Sequence, residues 1–517
     1  MIAGDQLLRV ALIQVIAVLL TPYGAAALLE RRGIPAHLAV AAGLIVGPVA
    51  ALGVFWMAWL DLPRQSGGLV AGWALFPLGP CLSIWAIAAG QWRSEIVPPF
   101  LLAGAAALVL LVWTYAGHLD AGDLMRVPAT RWTHSLPGDN TIPLNFAQGL
   151  FAGHIPSPMH SNWLSSDRPP LQTALYLATP DWLRHGPRDF GYEPAAVAMQ
   201  TLVLIGAWAL LRALGVGRSM ALAGMVAVFF TPLVIVNGTY VWPKLLATAF
   251  LLAAAAIHLS PDYGTVKHRL GWGIVTGALC ALAMLSHGGS AFVIVGVGIA
   301  ALAIRRLATV RYVAGAALAF VVLYSPWIAY QKFADPPGDG LLKMHLAGAS
   351  NVDPRPLSRA IIDSYRELTP LVVAKIRASN TLFLVAHTGR TYAHTLRAVK
   401  AVLTGNVEAA RLTLAETRID QFFHFVAGSG LLGLGFFLLP LGCFDRNLRP
   451  LAVCVIATLA SWIAIMYGPG ATAIHQGSLF PEIAILVGVL VALPLRPRLA
   501  APLIGAHVAT TAFQYAV

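Results

Sequence analysis

The chain has 517 residues, 58% of them hydrophobic and only 11% charged, with a mean hydropathy of +0.73. A soluble domain carries roughly a quarter charged residues, so this balance excludes an ordinary soluble fold and points to a polytopic membrane protein. Lys and Arg (34) exceed Asp and Glu (22) by 12, yet no Lys/Arg-rich run with interleaved aromatics marks a nucleic-acid surface; basic loops on one membrane face account for the excess.

Repeated apolar runs of about twenty residues predict an all-α bundle rather than a β-barrel. The sequence predicts about fourteen transmembrane helices, at 7–29, 37–60, 68–90, 97–117, 194–213, 219–237, 241–259, 270–286, 289–304, 312–330, 421–442, 450–467, 478–494 and 499–516. The first run lacks a basic flank before it and is followed by Arg31 and Arg32, the pattern of a retained helix rather than a cleaved signal peptide. Arg31/Arg32, Arg93, Arg212/Arg218, Lys267/Arg269, Arg305/Arg306/Arg311, Arg446/Arg449 and Arg496/Arg498 fall in alternate connections, which are cytoplasmic by the positive-inside rule. Both termini and the two long loops, 118–193 and 331–420, are then expected outside. The expected division is 1–96 (extra N-terminal helices), 97–330 (core with outer loop 118–193), 331–420 (outer loop or lid) and 421–517 (C-terminal helices). Cys81, Cys280, Cys443 and Cys454 form no CxxC pair, so neither a zinc site nor a disulfide framework is indicated.

The first long loop carries two acids, each just before a proline-started apolar run: Asp139 in Gly-Asp-Asn and Asp167 in Ser-Asp-Arg-Pro-Pro. Pro143 suits a first helical position, and Ile142, Phe146 and Leu150 recur at i, i+4, i+8 as one apolar stripe. Asp139 is therefore predicted in an ordered turn ahead of a helix start, which favours its ionised form. It has the chemistry of a general base toward a hydroxyl. Pro169 and Pro170 are expected to leave Asp167 and Arg168 exposed. Asp167 could assist catalysis, pair with Arg168 or cap the following helix; Arg168 could fork onto phosphate oxygens or merely neutralise Asp167.

Three outward turns add polar groups. Lys244 follows Tyr240, Trp242 and Pro243 at the start of an apolar helix; it either snorkels to the interface or binds a lipid phosphate. His287 lies in Ser-His-Gly-Gly-Ser, and His475 in His-Gln-Gly-Ser. Each is either a helix-end histidine or a ligand to a shared anion. In the second long loop, Leu357, Ile361, Ile362, Tyr365 and Leu368 predict an amphipathic interfacial helix, and the stretch bearing Asp339, Lys343 and His345 is a candidate lid. No HExxH, Walker loop, paired GxGxxG or GxSxG elbow occurs. Asp139 and Asp167 together could hold a divalent cation.

A multi-span chain with Gly-Asp-Asn, amphipathic helices and Asp-Arg-Pro-Pro-Leu in its first large outer loop resembles the GT-C superfamily of membrane glycosyltransferases. It is most similar to the protein mannosyltransferase and lipid A aminoarabinose transferase group, over roughly 98–330. The resemblance implies a polyprenyl-phosphate sugar donor, a glycan, lipid or protein acceptor, and no required cofactor. It implies Asp139 as the catalytic carboxylate, with Lys244 and Arg168 on the lipid phosphate, and an active site facing the periplasm from a bacterial inner membrane. The chain departs from the family pattern in having Asn140 where a second acid is common, and in three spans within 7–90 that lack a counterpart. Two other readings compete: a lipid-diphosphate-dependent polysaccharide polymerase or ligase, using Arg355, Arg359, Arg366, Arg377 and Arg390, and a lipid or polysaccharide transporter. Transporters usually show repeated halves with mid-membrane breaks, which the sequence lacks.

Overall fold

The computed structural model describes residues 4–61, 77–91, 94–119, 124–132, 136–159, 163–184, 190–349, 353–471, 477–493 and 497–517. Their regular structure is entirely helical, with no β-strand among the described residues. Among the described residues, five helices are long and apolar enough to cross a bilayer: Gln6–Arg31, Ala36–Leu60, Val97–Tyr115, Tyr192–Ala213 and Val310–Ala334. Two bent pairs, Arg218–Phe229 with Pro232–Tyr240 (65°) and Leu357–Arg366 with Pro370–Leu403 (108°), raise the number to seven if each is one span. The chain has the character of a helical membrane protein, but the expectation of about fourteen spans is corrected.

The reason is that apolar composition does not fix helix length. The run at 219–237 bends at Thr231, just ahead of Pro232. The run at 421–442 breaks at Gly430, whose φ of 65° no helix accommodates, and continues as a 3-10 segment over Leu431–Leu438. Lys244–Leu259, Leu270–Ser286, Ser290–Ala303, Arg449–Ile465 and Phe480–Ala492 are all helices of 10–17 residues. At 1.5 Å per residue such helices reach roughly 15–26 Å, against about 30 Å of hydrocarbon. Of the run at 68–90, the described helix is Leu78–Ala88.

Tyr192–Ala213 is the axis of the fold, its most apolar window wholly buried. It packs against Gly4–Arg31, Val97–Tyr115 and Lys244–Leu259. At the periphery, Leu270–Ser286 packs on Val310–Ala329, whose other face exposes Val313, Leu318, Val321 and Val322. A row of exposed aliphatic side chains of this kind suits lipid rather than water.

Among the described residues the second long loop folds into five α-helices, Gly340–Ala347, Leu357–Arg366, Pro370–Phe383, Thr388–Leu403 and Val407–Phe423. Its arginines are largely engaged. Arg355 pairs with Asp353 and Asp363, Arg359 with Asp363, and Arg390 with Asp420, while Arg377 donates to the Met466 carbonyl and the Tyr365 hydroxyl.

Candidate functional site

Asp139 sits in a 3-10 turn, Gly138–Thr141, that runs into the Ile142–Phe151 helix with Pro143 in its first turn. Ile142, Phe146 and Leu150 are all buried, so the predicted stripe clamps this turn to the bundle. The clamp fixes where the carboxylate points. Its Oδ2 accepts from Arg168 Nη2 at 2.8 Å and its Oδ1 from the Tyr240 hydroxyl at 2.6 Å. The two side chains of the ion pair are only 9% (Asp139) and 15% (Arg168) exposed. Arg168 also lies 5.0 Å from the Trp163 ring, and its Nε–H has no acceptor among the described residues.

Tyr240 is delivered by a sharp reversal. It ends the Pro232–Tyr240 helix, and Val241 follows at φ 53°, a left-handed conformation that a β-branched residue adopts only with strain. A buried polar relay holds the reversal. Gln172 Nε2 donates to the Val241 carbonyl (2.9 Å) and to the Tyr192 hydroxyl (2.7 Å), which itself donates to the Asn140 carbonyl (3.0 Å). Gln200 donates to Gln172 (3.0 Å) and accepts from the Leu246 amide (3.1 Å), one of the unpaired N–H groups that begin the Lys244–Leu259 helix. The loop and two core helices are thus locked in one register.

Beyond the reversal, Trp242 stacks on Phe422 (6.0 Å, 11°), and Lys244 Nζ lies 4.3 Å from the Trp242 ring centroid. A desolvated cation–π contact of this kind contributes about 2 kcal/mol. Lys244 is 1% exposed and interacts electrostatically with Glu482, Asp139 and Arg168. His287 ends the Leu270–Ser286 helix, accepts from the Gly289 amide at 3.1 Å and meets Trp242 edge-on at 6.3 Å. A Cβ on Gly289 would fall 2.3 Å from the Gly477 carbonyl, so glycine lets this turn touch the one preceding Phe480–Ala492. His475 lies outside the described residues.

The segment after Val310–Ala329 closes over this arrangement. Asp167, expected to be exposed, is 6% exposed and fully engaged: Oδ2 accepts from the Leu164 amide (3.0 Å) and Oδ1 from the Gly340 amide (2.8 Å). A Cβ at Gly340 would sit 2.7 Å from Asp167 Oδ1, so a side chain there would push the carboxylate away. Burial raises the Asp167 carboxyl above its ordinary range, partly offset by those two amides and by Arg168. Asp335 adds a second tie by accepting from the Ser166 amide (3.0 Å) and the Ser165 hydroxyl (2.5 Å). Gln331 adds a third, donating to the Ser166 carbonyl at 2.9 Å.

These ties place the Gly340–Ala347 helix as one wall of a cavity of about 610 Å³. Asp139, Arg168, Trp242, His287 and His345 line it on the polar side, and Phe292, Val295, Leu342, Leu346 and Ile465 on the apolar side. Val295, Leu342 and Ile465 are 41–50% exposed, so the apolar side reaches the outer surface of the bundle. His345 Nδ1 has no partner among the described residues. Burial, with Lys244 and Arg168 adding to it, pushes the His345 imidazole down to about 4.

Of the nine residues singled out from sequence, Asp139, Arg168, His287 and His345 line this cavity, with Lys244 just behind Trp242. Asp167 supports it from outside the lining. Asp339 and Lys343 pair with each other at 2.7 Å, and Lys343 also donates to the Asp353 carbonyl at 2.6 Å, so the contacts of both lie within 339–353, and neither lines the cavity. Sequence reasoning missed Tyr240 as the partner of Asp139. It also missed Glu482, a fully buried acid whose two carboxylate oxygens have no hydrogen-bond partner among the described residues. A lone carboxylate opening an apolar run was the signal for it.

For a divalent cation, Asp139 and Asp167 do not form a pair of open carboxylates, each being engaged as described. His387, Asp420 and His424 bring ligand atoms within 4.8 Å of one another. Arg390, however, donates to both Asp420 oxygens, which supplies the positive charge a cation would bring, and the two imidazoles stack at 4.1 Å. Comparison with protein-family models, curated proteins and solved structures finds no match.

Proposed function

We propose that the chain is an integral-membrane glycosyltransferase that moves a sugar from a polyprenyl-phosphate donor to a hydroxyl-bearing acceptor, at the periplasmic face of a bacterial inner membrane. The observation that carries this reading is the single cavity in which a carboxylate, Asp139, meets Arg168, His287 and His345 on one side and an apolar, surface-reaching wall on the other. A polyprenyl chain would lie along Val295, Leu342 and Ile465, with its phosphate held by Arg168 and the Lys244–Trp242 unit. Arg168 keeps Nη2 on Asp139 and still has its Nε–H to offer to a phosphate oxygen.

In the transfer, Asp139 takes the proton of the acceptor hydroxyl as its oxygen attacks the anomeric carbon. The bond from that carbon to the phosphate oxygen breaks, and polyprenyl phosphate leaves with the electron pair, with inversion. Tyr240, donating to Asp139 Oδ1, orients the base. Asp167 holds the wall that carries His345, and a closed wall excludes water and with it simple hydrolysis of the donor.

The experiment is release of polyprenyl phosphate from a labelled lipid-linked sugar by the purified protein, wild type against Asp139→Asn. Loss of about 100-fold or more in rate is expected for removal of a general base. Undiminished release by Asp139→Asn would remove the assignment.

A further inference from the structure

The helices Lys244–Leu259, Ser290–Ala303 and Arg449–Ile465 each have one end at the cavity just described, since Pro243, Gly289 and Ile465 line it. Their other ends meet around a second cavity of about 960 Å³. Helices of 16, 14 and 17 residues separate the two by roughly 20–25 Å at 1.5 Å per residue. Lys267, Arg305, Arg306, Arg446 and Arg449 line this second cavity, and among the described residues no carboxylate does.

Arg306 is accounted for, donating to the Ser260 carbonyl at 2.6 Å and lying 5.1 Å from the Tyr263 ring. The side chains of Lys267, Arg305, Arg446 and Arg449 have no ion pair or hydrogen bond among the described residues. The nearby acid Asp445 is used locally, accepting from the Asn447 (2.8 Å) and Leu448 (3.0 Å) amides. Arg305 is held at φ 56°, where glycine would be the easier residue, in the turn that ends the Ser290–Ala303 helix, with the Arg306 amide donating to the Ala301 carbonyl at 2.9 Å. Like charges gathered in one concavity repel one another unless an anion joins them. On the same rim stand Phe444, 88% exposed, and Val453. That apolar shoulder beside unpaired cations has no use for a small soluble anion, but matches a headgroup that continues into acyl chains.

We infer that this second cavity binds a phosphate-rich anion, best met by the headgroup of a phospholipid bearing two phosphates, in the leaflet opposite the first cavity. Five cations exceed the charge of one phosphodiester, which is the reason for a two-phosphate group. The inference stands on the basic cavity and the apolar helices, independently of any transferase activity.

The test uses the full-length protein in detergent, with native mass spectrometry reading binding of diphosphatidylglycerol and, as the neutral control, phosphatidylcholine. Pyrophosphate forms a separate arm. The variant combines Arg305→Gln, Arg446→Gln and Arg449→Gln, all exposed side chains, so the fold should be retained. Diphosphatidylglycerol should bind the variant about 30- to 100-fold more weakly than the wild type, with phosphatidylcholine unchanged. If the triple variant does not fold, Arg446→Gln with Arg449→Gln should still weaken binding about tenfold or more. Displacement of the lipid by pyrophosphate at equal concentration would keep the anion site and reassign its source to soluble phosphates. Binding of both diphosphatidylglycerol and pyrophosphate to the variant within twofold of the wild type would overturn the inference.

Discussion

Removing the Asp167 carboxylate should open the cavity wall without unfolding the bundle. Asp167→Ala deletes two charge-assisted hydrogen bonds, at 3.0 and 2.8 Å, and leaves the Leu164 and Gly340 amides without their acceptor. Each amide left unsatisfied costs about 1–3 kcal/mol. Some of that returns as water enters, and the ties from Asp335 and Gln331 remain. The net local loss is then roughly 2–3 kcal/mol, or about 30- to 150-fold in the opening equilibrium. Hydrogen exchange on the detergent-solubilised protein reads this directly. Amides of the Gly340–Ala347 helix should lose protection by that factor, while those of Tyr192–Ala213 stay within twofold. Asp167→Asn keeps one acceptor oxygen and should fall in between. Unchanged protection of the 340–347 amides in Asp167→Ala would refute the idea that this carboxylate holds the wall, and a uniform loss across both helices would show it to be part of the global core instead.

Tyr240→Phe removes the hydroxyl that orients Asp139 and should cost about 1.5–3 kcal/mol by thermal unfolding; on the transferase reading it should slow transfer while leaving donor affinity within twofold. Lys244→Met removes the group with which the buried Glu482 interacts electrostatically, together with the contact to the Trp242 ring, and should cost about 2 kcal/mol. Adding Glu482→Gln should recover part of that, and strictly additive losses in the double-mutant cycle would refute the coupling. His345 has an ordinary value near 6.5 that the fold lowers to about 4, so the folded state prefers the neutral ring. Its contribution is fully present above about pH 6.5 and is lost as pH falls toward 4; discounted for partial exposure, it amounts to about 1–2 kcal/mol. Melting curves of wild type and His345→Gln should therefore diverge over that window, and parallel curves would contradict the buried, cation-facing environment. Arg390→Ala strips the guanidinium from the buried Asp420 carboxylate and, since Arg390 itself is 46% exposed, should cost only about 1–2 kcal/mol.

Local patterns were readable in the sequence wherever the deciding contacts were local. The Ile142/Phe146/Leu150 stripe, the turn before it and the placement of Lys244 behind Pro243 follow from proline position and helical periodicity alone. The exposure expected for Asp167 failed for the opposite reason: its second amide partner, Gly340, is 173 positions away, and no nearby spacing reveals it. Tyr240 was invisible as a partner of Asp139 because the left-handed Val241 that ends its helix is set by the Gln172 relay, not by a glycine in the chain. The number of bilayer-length helices was overread because hydropathy measures what a run would bury, whereas bends at Thr231 and Gly430 depend on backbone geometry.

The wall that completes the first cavity carries a consequence for biogenesis. Asp139, Arg168, Trp242 and His287 are all made before residue 290, whereas the helix that encloses them starts at Gly340 and is fastened 173 residues back along the chain. A contact spanning so much sequence closes late. A nascent chain halted near position 300 would therefore hold an uncovered acid–cation pair, open to chaperones and quality-control proteases, until the next stretch emerges from the ribosome.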